Sequence, residues 1–217
     1  SSLKICFYES LGVELSKKEM SIETRLLGSG SACRSIPDGF VVWHRGRLSD
    51  GSDSYAESVA EPIHWDLVDL ICVVDVGKKK ISSREGHARS HNPYMEARQV
   101  GIEERVCRVI EAIKSRDMKS FGEVIEYDAV SFQTVAMMSE PPIFYWNQWT
   151  IVVMEKVREM REAGVLVYYT MDAGANVHVM CEERDREIVM TELQKISGVI
   201  KIIEARACVG ARVVEAI

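Results

Sequence analysis

Gly164 to Cys181 reads GVLVYYTMDAGANVHVMC. Two short runs of apolar and β-branched residues, Val165 to Met171 and Val177 to Cys181, flank a polar turn. Both read as strands of period two. His178 alternates with Val177 and Val179 and so faces the opposite side of its strand. Working upstream, the period changes to that of helices. Val153, Val157 and Met160 mark a long helix ended by Gly164. Asp117 starts another that runs towards Met138 and is stopped by Pro141-Pro142. Ile102, Val106, Val109, Ile110 and Ile113 predict an amphipathic helix over about 94–115. Downstream come a helix and a third strand, Val199 to Ala207, with Val209 to Glu215 able to close a hairpin on it. The order α, α, α, β, β, α, β, β predicts an α+β fold, an antiparallel sheet covered by helices.

The first part of the chain is built differently. Leu3 to Leu11 reads as a helix closed by Gly12. Ser16, with Glu19 at the capping-box position, starts a second helix running to Leu27. The small residues of GSGSACRS, Gly28 to Ser35, break it. Phe40 to Gly46 is a strand candidate. Trp65 to Val76, holding the run LICVVDV, suits a strand buried on both faces and ended in solvent by Lys78, Lys79 and Lys80.

The chain has 217 residues, 47% hydrophobic and 28% charged, which is ordinary for one or two globular domains. Lys and Arg number 27 against 33 Asp and Glu, a net charge of −6 that argues against a general nucleic-acid binder. No apolar run approaches the ~20 residues of a membrane-spanning helix. The six cysteines form no C-x-x-C pair and the five histidines show no ligand spacing. Reduced cysteines in a cytoplasmic protein fit better than a disulfide framework or a zinc site. The first residues carry no signal-peptide pattern and no Met, which suits a processed chain or a fragment.

Three segments can carry chemistry. GSGSACRS can cradle an anion, Gly admitting close backbone approach and Arg34 gripping a carboxylate or phosphate in bidentate fashion. Equally, it is a small-residue break where two elements pack. In YTMDAGAN, Tyr169 to Asn176, Asp172 follows a strand end, a place for a general base or for a residue that merely starts a turn. SSREGHARSHNPY, Ser82 to Tyr94, gathers Arg84, His87, Arg89 and His91 before a helix, as a phosphate site or a solvated loop. PPIFYWNQW, Pro141 to Trp149, reads as core and interface, and His44 and His64 as structural. P-loop, dinucleotide-binding and nucleophile-elbow motifs are all missing.

In sequence order, GSGSACRS with GFVVW, DGSDSYAESVAEPIHW, PPIFYWN and YTMDAGAN resemble the mevalonate diphosphate decarboxylases of the GHMP kinase superfamily. The resemblance runs from about Leu11 to Arg212. GSGSACRS and the Asp-Ala-Gly segment are specific to that family. It implies a GHMP-type fold, with 1–63 the remainder of the N-terminal domain and 64–217 the C-terminal α+β domain. Family members run to about 300 residues or more, above the one-domain prior. The chain therefore resembles their last two thirds, without a substrate-binding Lys and most of a Gly/Ser phosphate loop.

By this resemblance Arg34 binds the substrate carboxylate, Ser29 and Ser31 hold its phosphate chain, and Asp172 lies beside the C3 hydroxyl. The implied reaction is ATP-dependent conversion of mevalonate 5-diphosphate to isopentenyl diphosphate in a cytoplasmic homodimer. Its partner is a small phosphorylated mevalonate, with no nucleic acid and no membrane. ATP and Mg²⁺ are the implied cofactors, with no protein metal ligand visible. Two departures bear on this. Gly86-His87 stands where the family has Gly-Met, which makes His87 a candidate contact to a different phosphate arrangement. Ala175 replaces the usual Pro. The alternatives are an ATP-independent decarboxylase of mevalonate 3,5-bisphosphate, which needs neither cofactor, or a 5-phosphomevalonate decarboxylase. A kinase-type phosphotransferase and a non-catalytic paralogue are further rivals. Mevalonate 3-kinases lack the equivalent Asp, so Asp172 together with Arg34 favours decarboxylation.

Overall fold

The computed structural model describes residues 2–26, 30–77, 81 and 83–213. The chain divides into two compact units, Ser1–Trp65 with Ala207–Ile217, and Asp66–Arg206.

In the first unit, α1 (Ser2–Ser10) ends at Gly12, whose φ of 66° is left-handed. The Ser16–Glu19 capping box forms as expected. The Glu19 amide donates to Ser16 Oγ at 3.2 Å and the Ser16 amide donates to Glu19 Oε2 at 2.8 Å, starting α2 (Lys17–Leu26). Gly28 and Ser29, where the expected break begins, lie outside the described residues, and Gly30–Arg34 form a short helix, α3. β1 (Phe40–Trp43) pairs antiparallel with β2 (Ala56–Ala60), a strand that the sequence did not predict because AESVA lacks bulky β-formers. Ile5, Met20 and Ile36 form a small core with Tyr8, Leu15 and Ala211.

The hairpin expected from Val209 to Glu215 is absent from the described residues. Positions 207–213 form no strand. They are tied instead to 35–39. The Ala211 amide donates to the Ser35 carbonyl at 2.8 Å, and the Gly39 amide to the Cys208 carbonyl at 2.9 Å. Gly210 permits this close approach, since a Cβ there would lie 2.1 Å from the Ile36 carbonyl oxygen.

The second unit holds β3 (Leu67–Val73), α4 (Ser83–Arg89), α5 (Pro93–Gln99), α6 (Ile102–Ser115), α7 (Met118–Met137) and α8 (Gln148–Glu162). It continues through β4 (Val167–Thr170), β5 (Val177–Glu182), α9 (Arg186–Gln194) and β6 (Lys201–Arg206). The strands form one antiparallel sheet in the order β4-β5-β3-β6. Val68, Leu70 and Cys72 of β3 and Val177, Val179 and Cys181 of β5 face Val153 and Val157 of α8 and Val189 and Leu193 of α9. Full burial of such side chains contributes about 1.5–3 kcal/mol each. The α+β expectation therefore holds.

Two local expectations do not. The helix over about 94–115 is divided at Gly101, whose φ of 73° is left-handed. SSREGHARSHNPY, read as a phosphate site or a solvated loop, is helical over Ser83–Arg89. It supplies α4 and then Asn92, whose side chain accepts the amides of Tyr94 and Met95 to start α5. Lys78, Lys79 and Lys80 lie outside the described residues.

Candidate active site

The turn after β4 fixes Asp172 through its backbone. The buried Gln133 of α7 donates from Nε2 to the Asp172 carbonyl at 3.0 Å, and the Gly174 amide donates to the same oxygen at 2.8 Å. Thr150 Oγ1 donates to the Ala175 carbonyl at 2.7 Å, and Asn176 Oδ1 accepts the amides of Val74 and Asp75 at 3.0 and 3.1 Å. Ala173 and Ala175 are buried while the Asp172 side chain is exposed. Its carboxylate has no hydrogen-bond partner among the described residues. A hydrogen-bonded backbone thus presents a solvent-facing carboxylate. Asn147 sets this up from below. Its Oδ1 accepts the amides of Trp149 and Thr150 at 2.8 and 3.0 Å, and the capping box it makes with Thr150 places that hydroxyl.

His178 of β5 stands beside this turn. Its Nδ1 is 2.7 Å from Asp69 Oδ2 of β3, and the hydrogen bond to Asp69 raises its pKa above the ordinary histidine value. Burial opposes the rise, and the negative charges of Asp69 and Asp172 add to it. Asp69 Oδ1 is buried without a partner among the described residues. His178 does face away from Val177 and Val179, as alternation predicted. Asp69 is the residue that sequence reasoning missed, and its only signal was a lone acid inside the apolar run of β3.

In the first unit, α3 carries Ser31 and Arg34, both exposed, around the wholly buried Cys33. Cys33 Sγ donates to the Gly30 carbonyl at 3.1 Å, and burial pushes its thiol pKa up, which marks an anchor rather than a nucleophile. Ser21 Oγ ties α2 to this motif, donating to the Cys33 carbonyl at 3.3 Å and accepting the Ala56 amide at 2.8 Å. The Arg34 guanidinium lies 5.8 Å from the centroid of the Trp43 ring, and that of Arg25 lies 5.1 Å from it. Gly30 makes room for the indole, because a Cβ there would sit 3.1 Å from Trp43 Cζ3. A guanidinium over an aromatic face keeps its planar donors for a carboxylate or phosphate. Arg25 was not singled out from sequence, although it stands next to the Gly/Ser segment. Ser29 lies outside the described residues.

His87 is on α4, and its side chain is outside what is described. The preceding Gly86 is pinned, since a Cβ there would lie 2.3 Å from Tyr145 Oη. Tyr145 stacks on Phe132 with ring centroids 6.4 Å apart, and Ile143 is buried, so much of PPIFYWNQW is packing as expected. Phe144 stays 72% exposed. Among the described residues no three His, Cys, Asp or Glu converge on a metal position, and no helix is long and apolar enough to cross a membrane.

The family model of the mevalonate 5-diphosphate decarboxylase C-terminal domain matches residues 69–212. That of the diphosphomevalonate decarboxylase-like N-terminal domain matches residues 1–56. The diphosphomevalonate decarboxylase mvd1 of Aspergillus fumigatus is 37% identical over 178 residues, which are 79% of this chain and 44% of the relative. The human diphosphomevalonate decarboxylase is 36% identical over 155 residues, 69% of this chain and 39% of that one. The chain therefore spans less than half the length of these curated relatives. The mevalonate diphosphate decarboxylase structure from Staphylococcus aureus superposes with a TM-score of 0.88 at 33% identity, covering 96% of this chain and 63% of that one. The structure of MDDEF in complex with MVAPP, AMPPCP and magnesium gives 0.84 at 33% identity, over 94% and 62%.

Proposed function

The chain belongs to the diphosphomevalonate decarboxylase family, and on that footing we propose that it serves the ATP-dependent decarboxylation of mevalonate 5-diphosphate to isopentenyl diphosphate. The observation that carries the reading is the exposed carboxylate of Asp172 on a turn clamped by Gln133, Thr150 and Asn176. Asp172 takes or orients the proton of the C3 hydroxyl. Arg34 holds the substrate carboxylate through its planar donors, and Ser31 with Ser29 bonds the distal phosphates, so that binding remote from C3 aligns the reacting end. ATP, accompanied by magnesium, would supply the phosphoryl group that turns the hydroxyl into a leaving group. As the C3–O bond breaks with its electron pair, the bond to the carboxyl carbon supplies the electrons of the new double bond and carbon dioxide departs. A cytoplasmic homodimer is part of the same proposal.

The test is carbon dioxide release by the full-length gene product. It is offered mevalonate 5-phosphate, 5-diphosphate and 3,5-bisphosphate, each with and without ATP. Release from the diphosphate only with ATP, matched by ADP, is expected. Release from the bisphosphate without ATP, or from the monophosphate alone, overturns the proposal. Asp172→Asn should lower turnover by about 10²–10⁴-fold with the fold intact; full activity in that variant removes Asp172 from the reaction.

A further inference from the structure

His178 of β5 lies on the sheet face opposite to that of Val177 and Val179. Its direct cross-strand neighbours are Ile71 on β3 and Thr170 on β4. Two residues along from Ile71 is Asp69, and two residues beyond Thr170 is Asp172. Diagonal neighbours in a sheet lie about 7–8 Å apart, within reach of long side chains. The Asp69 diagonal is closed, with Nδ1 and Oδ2 at 2.7 Å. Asp172 lies in the turn just past the end of β4, whose last residue pairs with His178. The imidazole Nε2 and the Asp172 carboxylate both lack a hydrogen-bond partner among the described residues. Met171 is buried among the core residues, whereas Asp172, two residues past the end of β4, is exposed.

We propose that His178, held by Asp69, is a positioning residue for Asp172, its Nε2–H aligning the carboxylate towards the substrate hydroxyl. The inference rests on the proposed role of Asp172. Asp69 fixes the ring: with Nδ1–H donated to Asp69 Oδ2, the second proton of the imidazolium lies on Nε2 and is left to be donated elsewhere. Asp69 and Asp172 are the charged groups that act on the ring, and Ile71 and Thr170 are its cross-strand neighbours. Both acids favour the charged ring, and both raise the His178 pKa.

The experiment has two arms on the full-length protein. In the first, the His178 ring is titrated by NMR in wild type, Asp172→Asn and Asp69→Asn. Asp172→Asn is an exposed substitution that leaves the fold intact, and it should move the midpoint down; Asp69→Asn should move it further down. An unmoved midpoint in Asp172→Asn overturns the proposal, whatever the enzyme's activity. In the second, kcat and KM for carbon dioxide release are followed against pH in wild type and His178→Gln. The expected loss is about tenfold in kcat where wild-type His178 is charged, with KM little changed, converging on wild type well above its midpoint. A loss equal at every pH would mark a structural role and sink the proposal. A wild-type protein that releases no carbon dioxide refutes the decarboxylase reading instead, with the titration still deciding the coupling.

Discussion

At Gly122 two residue-scale effects oppose each other. Alanine is the better helix former by about 1 kcal/mol, and Gly122 lies inside α7. Yet a Cβ there would fall 2.0 Å from Cγ of the buried Tyr168 ring. Forcing a packed aromatic aside costs about 1–3 kcal/mol, so the steric effect wins. Gly122→Ala should lower the urea unfolding midpoint, by about 1–2 kcal/mol of stability; a raised midpoint would show that Tyr168 yields freely. The same distinction governs what could be read in advance. Asp172 was legible as a candidate because a strand end, an acid and a Gly turn are contiguous, and Arg34 because it ends a Gly/Ser segment. Gln133 and Asp69 were not legible. Their roles depend on partners 39 and 109 residues away, and no local pattern says which strand lies beside which.

At the scale of elements, ends that carry their own chemistry were readable: Ser16 with Glu19, Asp117 as the N-cap of α7, and Gly164 after α8. The division at Gly101 was not. Ile102 to Ile113 keep a helical period that reads on upstream unless the left-handed backbone of Gly101 is known. The β3–β5 pairing itself has a pH signature. The folded-state pKa of His178 is raised, so its contribution to stability is full below the unfolded value and is lost as pH rises through the folded one. Stability should therefore fall across that window in wild type and fall less in His178→Gln. Urea melts of both proteins at a series of pH values measure the difference. Parallel curves would mean that the His178–Asp69 contact contributes nothing to the fold.

For the chain as a whole, the consequential departure is the course of residues 207–213. Their apolar, β-branched character suggested a hairpin with the neighbouring strand, the nearest partner in sequence. Instead the Gly210 amide donates to Asp38 Oδ1 at 2.7 Å, across 172 positions, and places the chain's last described residues in the unit that contains its first. Asp38 also accepts from the Lys17 ammonium. The Lys17 hydrogen bond, and then the Gly210 amide, hold the Asp38 carboxyl below the usual aspartate range. A depressed carboxyl stabilises the fold above its unfolded pKa and ceases to as pH falls through the folded value. Asp38→Ala should accordingly speed hydrogen exchange at Gly210 and Ala211 at neutral pH. Acidifying the wild type should do the same once exchange is corrected for its intrinsic pH dependence. The amides of Leu70 and Val179, deep in the four-stranded sheet, should keep their protection in the variant, because local openings run independently of the sheet core. If those sheet amides lose protection by the same factor, the attachment of 207–213 is a global property of the chain rather than of the first unit.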